Sequence, residues 1–341
     1  SILLYACYAP LTSLSNHKLL LKLKSSSDIE DLLTLQIREP LEEQKLNNSI
    51  QSLGEINNEI SQTVRQQYEE NPYPRWKAES VFQPFHTREL SKEHIAKQKI
   101  LIAGCGTGKQ IVTTFHYYPN SEFTCIDISR ASLAYAKRKL VEYKLDKQVK
   151  LYQCDILDVD KLNTQFDNIE CGGVLHHMQD PEAGLKSLVD QLKTGGRMKL
   201  ALYSRLARRK IKIARDLIEQ QGLSSSPENI RAFRKKLIDE TLQGTSDFPL
   251  IRWKDFYSLS ECRDLLFHKQ EICFDLTEIQ KMLENTGLIF ERMSVDLTIK
   301  HKFQQQFPDP KQLSDIACWH LYEQDNPDTF GGMYQFSVCK Q

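Results

Sequence analysis

The stretch Lys99-Ile-Leu-Ile-Ala-Gly-Cys-Gly-Thr-Gly108 decides the fold. Its first five residues are short and almost continuously apolar, as a parallel strand covered on both faces must be. The run then breaks into glycines at 104, 106 and 108 and continues as a helical pattern over about 107–117. Glycines there let the backbone turn sharply and approach a ligand without a Cβ clash. Two other glycine loops are excluded by the residues present. A phosphate-binding loop needs G-x-x-x-x-G-K-[ST], but Ala103 stands at its first glycine and Gln110 follows Lys109. The dinucleotide fingerprint G-x-G-x-x-G needs a glycine at 109, which is Lys. What remains is G-x-G-x-G.

Outward from this loop, short β-branched runs alternate with helical ones. Strands are predicted at Lys99–Ala103, Glu122–Ile126, Val149–Gln153, Phe166–Cys171 and Arg197–Tyr203, with helices at about 107–117, 130–143 and 181–193. Such alternation means βαβ units and a doubly wound parallel sheet, an α/β fold. A helix over 275–285, a strand at Leu288–Met293 and a last strand at Met333–Lys340 complete the pattern. Two insertions interrupt it: a basic helical one at 204–272, punctuated by Gly222, Pro227, Gly244 and Pro249, and an irregular one at 296–330. Both follow sheet strands, where α/β folds carry their binding loops.

Acidic residues end two of these strands. Asp127 closes the second, about twenty residues after the glycines, where a carboxylate accepts the ribose hydroxyls of an adenosine; Ile128 follows it, and Ser129 is the better cap for the next helix. Asp155, with Asp158 in reserve, follows the third strand and can accept from an adenine amino group while Ile156 packs on the ring. The fourth strand ends at Gly172–Gly173 and opens into Val174-Leu-His-His-Met-Gln-Asp-Pro181, a loop with His176 and His177 at the carboxyl edge.

Together these motifs resemble class I S-adenosylmethionine-dependent methyltransferases, of the type with a VLHH-x-x-D-P loop and a later Gly-Gly turn, matched by Gly195–Gly196. The resemblance covers about 100–203. It implies a seven-stranded Rossmann-like sheet whose last strand inserts antiparallel beside the fifth. It also implies that Gly104, Cys105, Gly106, Gly108, Asp127, Ile128, Asp155, Ile156, Gly173 and Val174 hold S-adenosylmethionine. A second resemblance covers Gln67-Tyr-Glu-Glu-Asn-Pro-Tyr-Pro-Arg-Trp76, Asp255–His268 and Phe330–Tyr334, which look like bacterial proteins joining this domain to tetratricopeptide repeats. Some related enzymes are protein-lysine methyltransferases, so lysine on a protein is the acceptor this likeness favours; a small molecule, or a non-catalytic binding module, stands as the alternative.

Methyl transfer from a sulfonium needs alignment and desolvation more than a strong acid–base pair. His176, His177 and Tyr203, at the carboxyl edge, are the catalytic candidates. Pro72 and Pro74 stiffen the strap at 67–76, where Tyr73, Arg75 and Trp76 are candidates for the cofactor's methionine arm. Tyr68, Arg263, Asp264, Phe267 and His268 are candidates for the acceptor site, and Tyr68, Tyr73, Trp76, Tyr203 and Phe267 for an aromatic pocket that lowers a lysine pKa. Arg205–Lys212 reads as a solvated basic helix face.

Composition narrows the remaining classes. Lysine plus arginine and aspartate plus glutamate balance at 45 each in 341 residues, against a dedicated nucleic-acid binder. None of the nine cysteines forms a C-x-x-C pair, so no zinc ribbon or dithiol redox site is expected, and a reducing cytoplasm is the simplest setting. The opening SILLYACYAP is too short to span a bilayer. With no initiator methionine, the chain reads as a piece of a longer protein. Residues 1–66 read as a helical extension, from apolar spacing in Leu19–Leu23, Ile29–Ile37 and Ile50–Val64, and 67–341 as the methyltransferase domain.

Overall fold

The computed structural model describes residues 2–22, 26–79, 96–244 and 249–341. Leu23, the end of the first apolar run, lies outside them. Among the described residues eight strands form one sheet: β1 (Gln51–Ser52), β2 (Lys99–Ala103), β3 (Glu122–Asp127), β4 (Val149–Gln153), β5 (Phe166–Gly172), β6 (Leu192–Tyr203), β7 (Leu288–Met293) and β8 (Met333–Lys340). Their order is β1-β4-β3-β2-β5-β6-β8-β7. β8 alone runs antiparallel, inserted between β6 and β7. This is the expected seven-stranded order with one correction, the two-residue strand β1 added parallel to β4.

β1 also corrects the N-terminal reading. Ile50–Val64 is not one helix. Ser52 Oγ donates to Gln153 Oε1 (2.6 Å), Gly54 turns the chain at φ +76°, and the helix Glu59–Glu70 starts only where the Asn58 side chain accepts from Ser61 N (3.0 Å). The preceding helix Glu39–Asn47 lies on the helix Arg130–Glu142, with Glu39 and Glu43 paired to the buried Arg138.

One apolar cluster joins β2, β5, β6 and β8 to the helices Pro181–Gln191, Leu276–Thr286 and Ile316–Asp325. A second fills the other face around Ile100, Ile102, Ile111, Phe123 and Leu133. The 204–272 insertion has its own core, in which Ile211, Ile230, Phe233, Leu266 and Phe267 are buried. The stretch 296–330 is not irregular: it forms the helices Leu297–Gln306 and Ile316–Asp325, capped by Asp296 and Asp315, with Phe303 stacked on Trp319 (3.8 Å).

The basic run at 205–212 is corrected too. Arg208 is 5% exposed, lies over the Tyr203 ring (3.5 Å) and pairs with Glu271 (2.7 Å). Arg205 pairs with Asp275 and Glu278, and Arg209 with Asp328. These three arginines thus meet opposite charges more than fifty residues away, invisible to local reading, while Lys212 stays mostly exposed and pairs locally with Asp216 (2.9 Å).

Candidate active site

The order β3-β2-β5 reverses direction at β2, and in open α/β sheets the crevice at such a switch point takes ligands. A cavity of about 670 Å³ opens there, at the carboxyl ends of β2, β3, β4 and β5, a size suited to a small-molecule site. The helix Glu59–Glu70 walls it with Ser61, Val64 and Tyr68, spaced along one face.

The glycine loop forms the floor. Gly106 has φ +52°, and a Cβ there would lie 2.9 Å from the Tyr73 carbonyl oxygen. The strap therefore passes directly over the loop, and Thr107 Oγ1 donates to the Pro74 carbonyl. Asp127 is 9% exposed; its Oδ2 accepts from Gly106 N (2.7 Å) and its Oδ1 from Ser129 N (2.9 Å). Burial pushes its carboxyl up to about 6, against these backbone donors. Asp155 Oδ1 accepts from Leu157 N (3.1 Å), and Ile128 and Ile156 line the same end. A glycine-rich backbone cradle, a carboxylate at each of two adjacent strand ends and two flanking isoleucines fit the amino-acid arm, ribose and adenine of S-adenosylmethionine.

Of the predicted residues, Tyr68, Tyr73, Gly104, Cys105, Gly106, Asp127, Ile128, Asp155, Ile156, Gly173, Val174, His177, Tyr203 and Asp264 line this cavity. The others are placed elsewhere, each for a visible reason. Trp76 is turned into the core against Tyr135 and Tyr143, its Nε1 donating to the Thr107 carbonyl (3.2 Å). That leaves Arg75 exposed on the strap, outside the lining. Gly108 serves packing: a Cβ there would meet Ala136 at 2.9 Å. Phe267 faces Phe233 in the insertion's core. Arg263 pairs with Glu70 (2.8 Å). His176 is fully buried behind the site, stacked on Tyr203 (3.7 Å), and among the described residues neither ring nitrogen has a hydrogen-bond partner.

The far wall is aromatic and polar. His177 Nδ1 contacts the Gln270 carbonyl at 2.6 Å; since a carbonyl only accepts, Nδ1 carries the proton and Nε2 is bare. Burial holds His177 down to about 4. His268 stacks on His177 (3.7 Å), and Asp264 joins the lining on the helix Leu259–Phe267. The insertion is tied to this edge by backbone bonds from Ile272 N to His176 O (2.8 Å) and from Phe274 N to Tyr203 O (2.9 Å).

Sequence reading missed the central floor. Glu170, on β5, accepts from Gln110 Nε2 (2.6 Å) and Thr114 Oγ1 (2.8 Å), and Lys199, Gln335 and Met333 extend the lining along β6 and β8. Period-two spacing places Lys199, Ala201 and Tyr203 on one face of β6, and only that signal was available. Among the described residues, no group of three or more His, Cys, Asp or Glu side chains could hold a metal ion, and no helix is long and apolar enough to cross a membrane.

A family model described as a methyltransferase domain matches residues 101–198. An uncharacterised protein of Synechococcus is 28% identical over 263 residues, covering 68% of this chain and 59% of that protein. A ubiquinone biosynthesis O-methyltransferase of Pseudomonas entomophila is 26% identical over 137 residues, 38% of this chain and 58% of its own length. Among solved structures, PKMT2 from Rickettsia typhi superposes with a TM-score of 0.54 at 18% identity, over 72% of this chain and 49% of that one. Its complex with AdoHcy superposes at 0.53 and 17% identity, over 83% and 52%. The chain thus spans between about half and three-fifths of the length of these relatives. The family match lies on the strands that build the cavity and the fold is that of a structure holding AdoHcy, so the comparisons support a class I S-adenosylmethionine-dependent methyltransferase with S-adenosylmethionine as its cofactor.

Proposed function

We propose that this methyltransferase modifies a protein side chain, with the lysine amine as its target. The observation that carries the reading is the cavity lining, which brings together Tyr68, Tyr73, Tyr203 and His177 and includes the buried carboxylate of Asp264, bonded to Tyr68. Aromatic faces attract a cation and desolvate it, and desolvation lowers the pKa of an amine toward its neutral, nucleophilic form. PKMT2 from Rickettsia typhi, solved also in complex with AdoHcy, shares this fold. In this reading residues 67–341 form the catalytic unit, and β1 and the helix Glu59–Glu70 add an edge strand and a wall to it.

S-adenosylmethionine supplies a methyl group already activated on a sulfonium. The protein's part is positional. Gly104, Cys105 and Gly106 receive the amino-acid arm, Asp127 the ribose and Asp155 with Ile156 the adenine. Tyr73 closes over the loop, and the aromatic wall orients the acceptor and excludes water.

A small-molecule acceptor is the second reading. It is favoured by the ubiquinone biosynthesis O-methyltransferases, whose likeness is confined to 38% of the chain. Tritium transfer from labelled S-adenosylmethionine into lysate decides between the two. Label recovered as methyl-lysine after hydrolysis of the protein fraction supports the proposal. Label confined to small molecules refutes it, and no transfer despite AdoHcy binding favours a binding module.

A further inference from the structure

Asp264 is 7% exposed and lines the cavity. Its Oδ1 accepts from Tyr68 Oη at 2.9 Å, and among the described residues no lysine or arginine forms an ion pair with it. The bonds behind Tyr68 have a fixed direction. Gln270 N donates to His268 Nδ1 (3.2 Å), so the neutral His268 ring carries its proton on Nε2. Burial keeps His268 well below the ordinary histidine range, hence neutral. Its Nε2 therefore donates to Tyr68 Oη (3.2 Å), and the Tyr68 proton goes to Asp264. Every donor in this series points toward the carboxylate and none away from it. A buried carboxylate held as an acceptor, without a counter-ion, is unfavourable unless a ligand brings the cation.

We infer that the acceptor enters as a primary ammonium between Tyr68, Tyr73 and Tyr203, with Asp264 as its counter-ion and the receiver of its proton. The inference rests on the proposed amine acceptor and specifies how it is recognised. In the proton step one N–H bond of R–NH3+ breaks and an O–H bond forms on Asp264. The electron pair stays on nitrogen as the lone pair that methylation requires, and the proton later leaves Asp264 for solvent. Burial pushes Asp264 up to about 7 despite Tyr68 and Arg208, with Glu271 and Asp255 acting in the same direction as burial. That narrows the gap to a desolvated amine. His177 is the poorer receiver, since burial holds it to about 4.

The test uses n-butylammonium, the lysine side chain without its backbone, and n-butanol as its neutral counterpart. Both are titrated by saturation-transfer NMR into the protein saturated with S-adenosylhomocysteine. The expected result is binding of the ammonium and not of the alcohol. Asp264→Asn should weaken it about tenfold or more, the scale of a charge-assisted hydrogen bond, and Tyr68→Phe by a smaller factor. Calorimetry of S-adenosylhomocysteine on each variant reports that the fold and cofactor half persist. Equal ammonium binding by wild type and Asp264→Asn, or equal binding of ammonium and alcohol by wild type, overturns the inference while leaving the methyltransferase reading intact. Failure of wild type to bind S-adenosylhomocysteine overturns both. If Asp264→Asn loses cofactor binding, Tyr68→Phe carries the decision: undiminished ammonium binding overturns the inference, and weakened binding supports it.

Discussion

Replacing Gly106 with alanine should break the contact between the strap and the glycine loop. Gly106 stands at φ +52°, and a non-glycine residue there pays about 1–2 kcal/mol for the left-handed conformation. Its new Cβ would also lie 2.9 Å from the Tyr73 carbonyl oxygen, a backbone atom that cannot rotate aside. Relieving that overlap means shifting the strap, a distortion worth about 1–3 kcal/mol by analogy with overpacked cores. The control is Gly222→Ala: φ is +61° there, but no atom lies within 4 Å of the added Cβ. Urea unfolding of both variants separates the terms, because the control carries only the conformational one. Calorimetry with S-adenosylhomocysteine then reads the site, and Gly106→Ala should bind at least about tenfold more weakly, the equivalent of 1.4 kcal/mol, while Gly222→Ala binds as wild type. Equal stability losses in the two variants, together with unchanged affinity in Gly106→Ala, would refute the claim that this glycine exists to let the strap close.

Other outcomes follow from the same geometry. Asp127→Ala should abolish measurable S-adenosylhomocysteine binding in calorimetry; retained affinity would remove the ribose role. Glu271→Gln leaves Arg208 buried without its partner and should destabilise the chain by about 3 kcal/mol in urea, whereas Glu278→Gln, at the half-exposed Arg205 pair, should change it by less than about 1 kcal/mol. Because burial raises Asp264 to about 7, its contribution to stability is full below the ordinary aspartate pKa and is lost as pH rises toward 7. Asp264→Asn should therefore gain stability relative to wild type between about pH 4 and 7, and a pH-independent difference would contradict this. His176→Phe should keep both stability and cofactor affinity, since among the described residues neither ring nitrogen of His176 has a partner to lose; a loss of methyl transfer with intact binding would restore His176 as a catalytic group.

The cofactor half of this protein was legible in its sequence because its determinants are local. A strand that must be apolar on both faces, glycines where backbone meets ligand, and acids at strand ends are each set by neighbours a few residues away. From Lys99 to Tyr203 the strands appear where the pattern puts them, except that β6 begins at Leu192 instead of Arg197 and takes in the expected Gly195–Gly196 turn, and β8 inserts beside β6 as the family resemblance implies.

The acceptor half was decided by tertiary structure. Tyr68, Tyr203, Asp264 and His268 come from three distant segments, and no spacing rule brings them together. An aromatic strap can turn either face to the sheet. Packing against Tyr135 and Tyr143 drew Trp76 inward and left Tyr73 over the loop, which reversed the expected use of Trp76 and Arg75. Likewise, Arg208 reads as a solvated cation until Glu271 and the Tyr203 ring are seen to enclose it. Local sequence determined which backbone could fold around a nucleoside. Long-range burial and charge pairing determined which side chains were left facing the methyl acceptor.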